Sequence, residues 1–108
     1  MAIEKSLMSG SLTMLILKLL SEKDMYGYEL IQKLENISES NIMLKAGTIY
    51  PLLHALEKEG YVVSYERPTE GKLIRKYYKI TESGKRCLDY KIQSWTDYFT
   101  IINRVLGV

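Results

Sequence analysis

His54 and Cys87 are the only histidine and the only cysteine among 108 residues, which narrows the chemistry open to this chain. They fall on different expected elements, so they form no nucleophile–base pair. Two such residues are too few for a zinc site, and Cys87 has no partner for an intrachain disulfide. No glycine-rich phosphate loop follows a strand-like run, and no carboxylate pair stands in a recognisable acid–base arrangement. The chain is therefore read as a non-enzyme, with no metal and no cofactor. What remains is recognition chemistry, and two stretches carry it. KAGTIYPLLHALEKEG (45–60) presents Lys45, Thr48, Tyr50 and His54, and a basic, tyrosine-rich run holds Lys72, Arg75 and Lys76.

The first stretch has helical spacing. Ile49, Leu52, Leu53 and Leu56 fall at i, i+3, i+4 and i+7, one apolar face of a 3.6-period helix. Pro51 then requires the helix to begin at Gly47 or Thr48, where a missing N–H is one of the first-turn donors without a helical acceptor. Opposite the apolar face lie Gly47, Pro51, His54 and Lys58, flanked by Thr48, Tyr50 and Ala55. Apart from Lys58 this face is uncharged, whereas a plainly solvated face would carry Lys and Glu. Compact residues near a helix N-terminus suit a surface that enters a groove beside phosphates.

The remaining elements follow from periodicity and punctuation. A first helix spans about Ser11, or earlier, to Glu22. Its main stripe is Leu12, Leu15, Ile16, Leu19 and Leu20, and a second is Leu7, Gly10, Met14 and Leu17. A second helix runs from about Tyr26 to Asn36, and Gly60 closes the third. YVVSYER (61–67) and LIRKYYKI (73–80), joined by PTEGK, read as a β-hairpin with a five-residue tip. Thr81 caps a last helix that reaches about Leu106.

This order predicts an α+β fold, mainly α. Residues 1–80 make a winged helix-turn-helix domain with a two-stranded wing, and residues 81–108 a long C-terminal dimerisation helix, together one compact unit. In that arrangement the third helix is offered to the DNA major groove. The hairpin holds Arg67, Lys72, Arg75, Lys76 and Lys79 against Glu66 and Glu70, a net of +3. Lysines guarding a solvated edge strand are a plainer explanation. Interleaving with Tyr77 and Tyr78, beside an uncharged helix tip, favours phosphate contacts.

Composition agrees with one globular domain. Apolar residues make up 46% and charged residues 26%, so there is a core to build and no disordered tail. Net charge is only +2, but residues 41–80 carry 7 Lys/Arg against 4 Asp/Glu, while residues 1–40 carry 4 against 6. Positive charge therefore gathers around the third helix and hairpin. Leu12 to Leu20 is short, is interrupted by Lys18 and lacks a cleavage site, so neither a signal peptide nor a membrane span is expected. A cytoplasmic protein without a membrane partner follows.

In the last helix Leu88, Ile92, Trp95, Phe99, Ile102 and Leu106 are spaced 4-3-4-3-4, a seam of period 3.5. A helix of about 25 residues is roughly 37 Å long, more than one small domain can cover. The same helix of a second chain is the natural partner, giving a homodimer. The second stripe of the first helix would fill the remaining side, and Tyr98, Ile101 and Val105 widen the apolar face.

YGYEL (26–30), GTIYPLLHALEKEGYV (47–62), RKYYKITESG (75–84) and Trp95 in the last helix together resemble the PadR family of bacterial transcriptional regulators. The length and single C-terminal helix are similar to its short subfamily. The resemblance implies a homodimer that binds double-stranded operator DNA as a repressor and is released by a planar aromatic or drug-like ligand. In short-subfamily multidrug sensors a tryptophan of the last helix pairs across the dimer axis and stacks the ligand, and Trp95 occupies that position here. The expected ligand wall is Trp95, Met14, Leu7, Gly10 and Phe99. Asp97 lies about 200° around the helix from Trp95, so a neutral or phenolic ligand is expected over a strongly cationic one. Bases would be read by Thr48, Tyr50 and His54, with Lys45 and Thr48 near the backbone. Lys72, Arg75 and Lys76 would clamp phosphates or reach the adjacent minor groove. A constitutive DNA-binding regulator without an effector, and a winged-helix module that binds protein, are the alternatives.

Overall fold

The structure, a computed structural model, describes residues 3–108, so the first two residues of the expected 1–80 unit lie outside it. Helix α1 spans Lys5–Glu22, strand β1 Met25–Tyr26, α2 Gly27–Ile37, α3 Ala46–Lys58, β2 Val62–Pro68, β3 Ile74–Ile80 and α4 Glu82–Leu106. The three strands form one antiparallel sheet in the order β1-β3-β2. The α+β, mainly helical winged arrangement is as expected, with one addition. Tyr26, expected to start the second helix, and Met25 before it pair instead with Tyr77 and Tyr78. Two residues are too few to show the period-2 alternation of a strand.

The apolar stripes converge on one core. Ile16, Leu17 and Leu20 of α1 are fully buried with Leu30 of α2, Ile49 and Leu53 of α3, and Met25, Val62 and Tyr78 of the sheet. Leu17 is thereby removed from the free stripe assigned to it. That stripe reduces to Leu7 and Gly10, both exposed, and half-buried Met14.

Helix α3 begins at Ala46, earlier than Pro51 led us to expect, with Lys45 as its cap residue. Pro51 therefore lies beyond the first turn, and the carbonyl of Gly47 has no N–H four residues on. Both residues are exposed, and a Cβ at Gly47 would meet nothing within 4 Å, so solvent can satisfy that carbonyl. The C-terminal end is as read. Gly60 has φ +79°, its N–H donates to the Glu57 carbonyl, and the Tyr61 N–H donates to the Leu56 carbonyl. This is a Schellman closure, in which glycine takes the left-handed position without a Cβ penalty.

The same corner anchors α4. The Thr81 hydroxyl accepts from the Gly84 N–H at 3.1 Å and donates to the Gly60 carbonyl at 2.7 Å, and the Thr81 N–H donates to the Tyr61 carbonyl. Gly84 is buried, and a side chain there would collide with the Tyr61 carbonyl and with Ile80. The end of α3, the start of β2 and the start of α4 are thus tied by one set of bonds. Beyond that corner α4 projects, and the molecule measures 56 × 31 × 21 Å.

Candidate functional site

Helix α3 carries Thr48, Tyr50 and His54, with Lys45 as its cap residue, but the four do not form one strip. His54 shares the outward crest with Gly47 and Pro51. Thr48 and Tyr50 stand on opposite flanks, two residues and so about 160° apart the short way round. Tyr50 borders a cleft of about 310 Å³ with Tyr26, Tyr28, Ile74, Arg75 and Lys76. Thr48 and Lys45 border a different cleft, of about 520 Å³, between α1 and the segment preceding α3, together with Lys5, Met8 and Met43. The first cleft joins α3 to the wing, so Arg75 and Lys76 meet Tyr50 there. Lys72 stands apart, exposed in the hairpin tip.

Several interactions hold this surface in shape. The Arg75 guanidinium lies 4.4 Å from the centre of the Tyr26 ring, which is edge-on to Tyr77 at 5.5 Å. Lys76, on the other side of the sheet, reaches Glu57 of α3 at 4.0 Å, and Ser64 donates to the same carboxylate. Glu57 therefore bridges the last turn of α3 to both wing strands. The Tyr65 hydroxyl donates to Asp24 at 2.7 Å, and that bond to a carboxylate holds the phenol above its ordinary value. Burial does the same for Tyr78.

Tyr26 and Tyr28 were absent from the expected set. Their signal lay in YGYEL, where an apolar helix face needs only Leu30, leaving two tyrosines without a packing role. The pairing of β1 with β3 and the packing of the start of α2 on α3 bring them beside Tyr50.

The seam of α4 divides into two parts. Leu88 is 5% exposed and belongs to the chain's own core, where α1 packs against α4. It is therefore not available as an interface residue. Ile92, Trp95, Phe99 and Leu106 are 40%, 42%, 51% and 68% exposed, and Ile102 is half-buried. Tyr98, Ile101 and Val105 are exposed beside them. The Trp95 and Phe99 rings stack at 5.8 Å with 21° between their planes.

A groove of about 330 Å³ runs between α1 and α4, lined by Gly10, Met14, Tyr90, Lys91, Ser94 and Trp95. Gly10, Met14 and Trp95 were expected there. Leu7 and Phe99 do not line it within this chain. Tyr90, Lys91 and Ser94 were missed, although Lys91 stands one turn before Trp95 on the same face. Among the residues that line it, Lys91 is the one that carries charge, and none is an acid. Among the described residues no helix is long and apolar enough to cross a membrane.

Comparison with known proteins agrees with this architecture. A transcriptional regulator from Clostridium thermocellum superposes with a TM-score of 0.85 at 32% identity, covering 92% of this chain and 96% of that one. A PadR-like transcriptional regulator from Bacillus cereus gives 0.82 at 33% identity, covering 95% and 98%. Transcriptional regulator YqjI of Escherichia coli (strain K12) is 36% identical over 80 residues, 74% of this chain but 37% of that longer protein. Residues 16–90 match the profile of the Transcriptional regulator PadR-like family, a DNA-binding family to which this chain belongs.

Proposed function

We propose that the protein is a homodimeric repressor that binds operator DNA through α3 and the wing and is released by a planar aromatic ligand held beside Trp95. In this reading residues 1–80 form the DNA-binding head, and α4, within 81–108, joins two heads. The observation that carries it is the exposed run Ile92, Trp95, Phe99 and Leu106, which adjoins the groove between α1 and α4. Such an apolar stripe on a projecting helix is costly to leave in water, and a second copy of α4 is self-complementary to it.

Ligand and DNA communicate through the corner at Gly60, Tyr61, Thr81 and Gly84, which ties α4 to the end of α3. Two recognition helices must stand about 34 Å apart to meet successive major grooves, and the crossing angle of two α4 helices sets that distance. A ligand shifts the balance only if it binds one crossing better than the other. Release of operator needs a preference of roughly 100-fold, about 2.7 kcal/mol. A stacked aromatic contact with burial of apolar surface is of that order. A groove whose lining holds Lys91 and no acid suits a neutral or phenolic ligand over a cation.

The test is to titrate planar aromatics while following Trp95 fluorescence and binding of a duplex selected by the protein from a random pool. Quenching and loss of duplex binding should rise together, and Trp95→Ala should abolish both. Quenching with undiminished duplex binding would leave a pocket but no switch. Duplex binding by a protein that takes up no aromatic would favour a constitutive regulator.

A further inference from the structure

Strand alternation sorts the charges of the hairpin onto two faces. Val62, Ser64 and Glu66 stand opposite Ile80, Tyr78 and Lys76, on the face toward the core and α3. Val63, Tyr65 and Arg67 stand opposite Lys79, Tyr77 and Arg75, on the outward face. The hairpin's Glu66 is thus turned to the inner face. The outward face holds three cations and no acid of its own strands. Asp24, an acid beside this face, is engaged by the Tyr65 hydroxyl.

Arg67 and Arg75 are direct cross-strand neighbours, one rung from the tip. Like charges in that relation oppose each other, and such pairs are destabilising. None of the ion pairs among the described residues involves either arginine. Instead each guanidinium rests on a tyrosine, Arg67 5.1 Å from the centre of the Tyr77 ring and Arg75 4.4 Å from that of Tyr26. Tyr77 is stacked on Tyr65 at 5.8 Å, and Tyr65 is pinned by Asp24. The two cross-strand arginines therefore rest on neighbouring tyrosines whose ring centres lie 5.5 Å apart, with an unfavourable mutual field that an anion between them would reverse.

We propose that Arg67 and Arg75 together form a phosphate site on the outward face of the wing, taking one phosphodiester of the DNA backbone between two guanidinium forks. The site rests on the DNA-binding reading of the protein and adds Arg67 to it. Guanidinium groups match phosphate oxygens in pairs of hydrogen bonds, which a lysine cannot reproduce. Stacking on Tyr26 and Tyr77 reduces the side-chain freedom lost on binding. A free carboxylate on another protein could be drawn to the same pair. Position one rung from the tip, with Arg75 itself bordering the α3 cleft, favours the DNA backbone.

The experiment compares the full chain with Arg67→Gln, Arg75→Gln, the double variant and Arg67→Lys on one duplex selected by the parent protein, across a salt series. Each Gln variant should bind about tenfold more weakly. The double variant should lose less than the sum of the two. Its slope of log affinity against log salt should fall by about 0.9 in total, the value for one phosphate, where two separate contacts would remove about 1.8. Arg67→Lys should lose affinity while keeping the parent slope. Thermal melting should show Arg67→Gln no less stable than the parent, since it relieves the opposed charges. An Arg67→Gln variant that binds as the parent does would place the pair off the DNA and overturn the proposal. Additive losses with a slope change near 1.8 would overturn the shared site. A parent protein without salt-dependent duplex binding would fail the DNA-binding reading itself, a result distinct from either.

Discussion

The ring of Tyr50 lies directly across Gly27. A Cβ added to Gly27 would come within 2.7 Å of two ring carbons and 2.8 Å of the hydroxyl oxygen. The first residue of α2 is glycine so that a side chain of α3 can rest on it, 39% exposed, at the edge of the cleft shared with Arg75. Gly27→Ala therefore acts on Tyr50 before it acts on the fold. The atoms in the way are the far end of a side chain that can swing outward, so the melting temperature should shift by only a few degrees, on the order of 1 kcal/mol. Affinity for a selected duplex should fall severalfold. An unchanged affinity would mean that the ring's position is not used in binding.

The α4 stripe predicts association. Burying an apolar side chain contributes roughly 1.5–3 kcal/mol, so Ile92→Asp or Phe99→Asp should convert a dimer to monomers and lower the melting temperature. Leu88→Ala should instead destabilise each chain, because Leu88 packs in the chain's own core. Sedimentation of the parent at micromolar concentration is the check, and a stable folded monomer there would refute the dimer.

Crest and tip should differ in what they contribute to DNA binding. Lys72→Ala removes a charge from the exposed hairpin tip and should weaken binding to all duplexes alike, reducing the salt slope by about one unit. His54→Ala, on the crest of α3, should change the ranking of duplex variants. Binding measured across a panel of single-base variants separates the two. A uniform loss in the His54 variant would remove it from base reading.

The bond between Tyr65 and Asp24 carries a pH signature. The carboxylate raises the Tyr65 phenol above its ordinary value of 10.0, so the folded state favours the protonated hydroxyl. The stability this contributes is fully present below that ordinary value and is lost as pH rises through the higher folded one. Tyr65→Phe should therefore differ from the parent in melting temperature at neutral pH, and the difference should shrink above pH 10. A difference independent of pH would mean that stacking on Tyr77, and not the hydrogen bond, ties the wing to the β1 approach.

Most elements were legible because each is written in local chemistry. The periodicity of Ile49, Leu52, Leu53 and Leu56, the glycine stop at Gly60 and the Thr81 cap all act within a few residues, and their helix ends stand where those signals place them. Pro51 misled by a short distance, since an exposed carbonyl at Gly47 tolerates the missing donor. The seam of α4 was visible as a 3.5-residue period, and so was the resemblance carried by the motifs together.

What only the tertiary structure decided concerns pairs distant in sequence. Leu17 and Leu88 have the spacing of free stripe residues, and burial against other elements removes them from that role. Met25 and Tyr26 become a strand only because Tyr77 and Tyr78 are there to pair with. The register that sets Arg67 against Arg75 depends on the hairpin closing between Pro68 and Ile74, one residue later than PTEGK suggested. A shift of one residue in a strand moves a side chain to the other face. Composition and period record which residues a face needs, whereas face and register are settled by the partner across the gap.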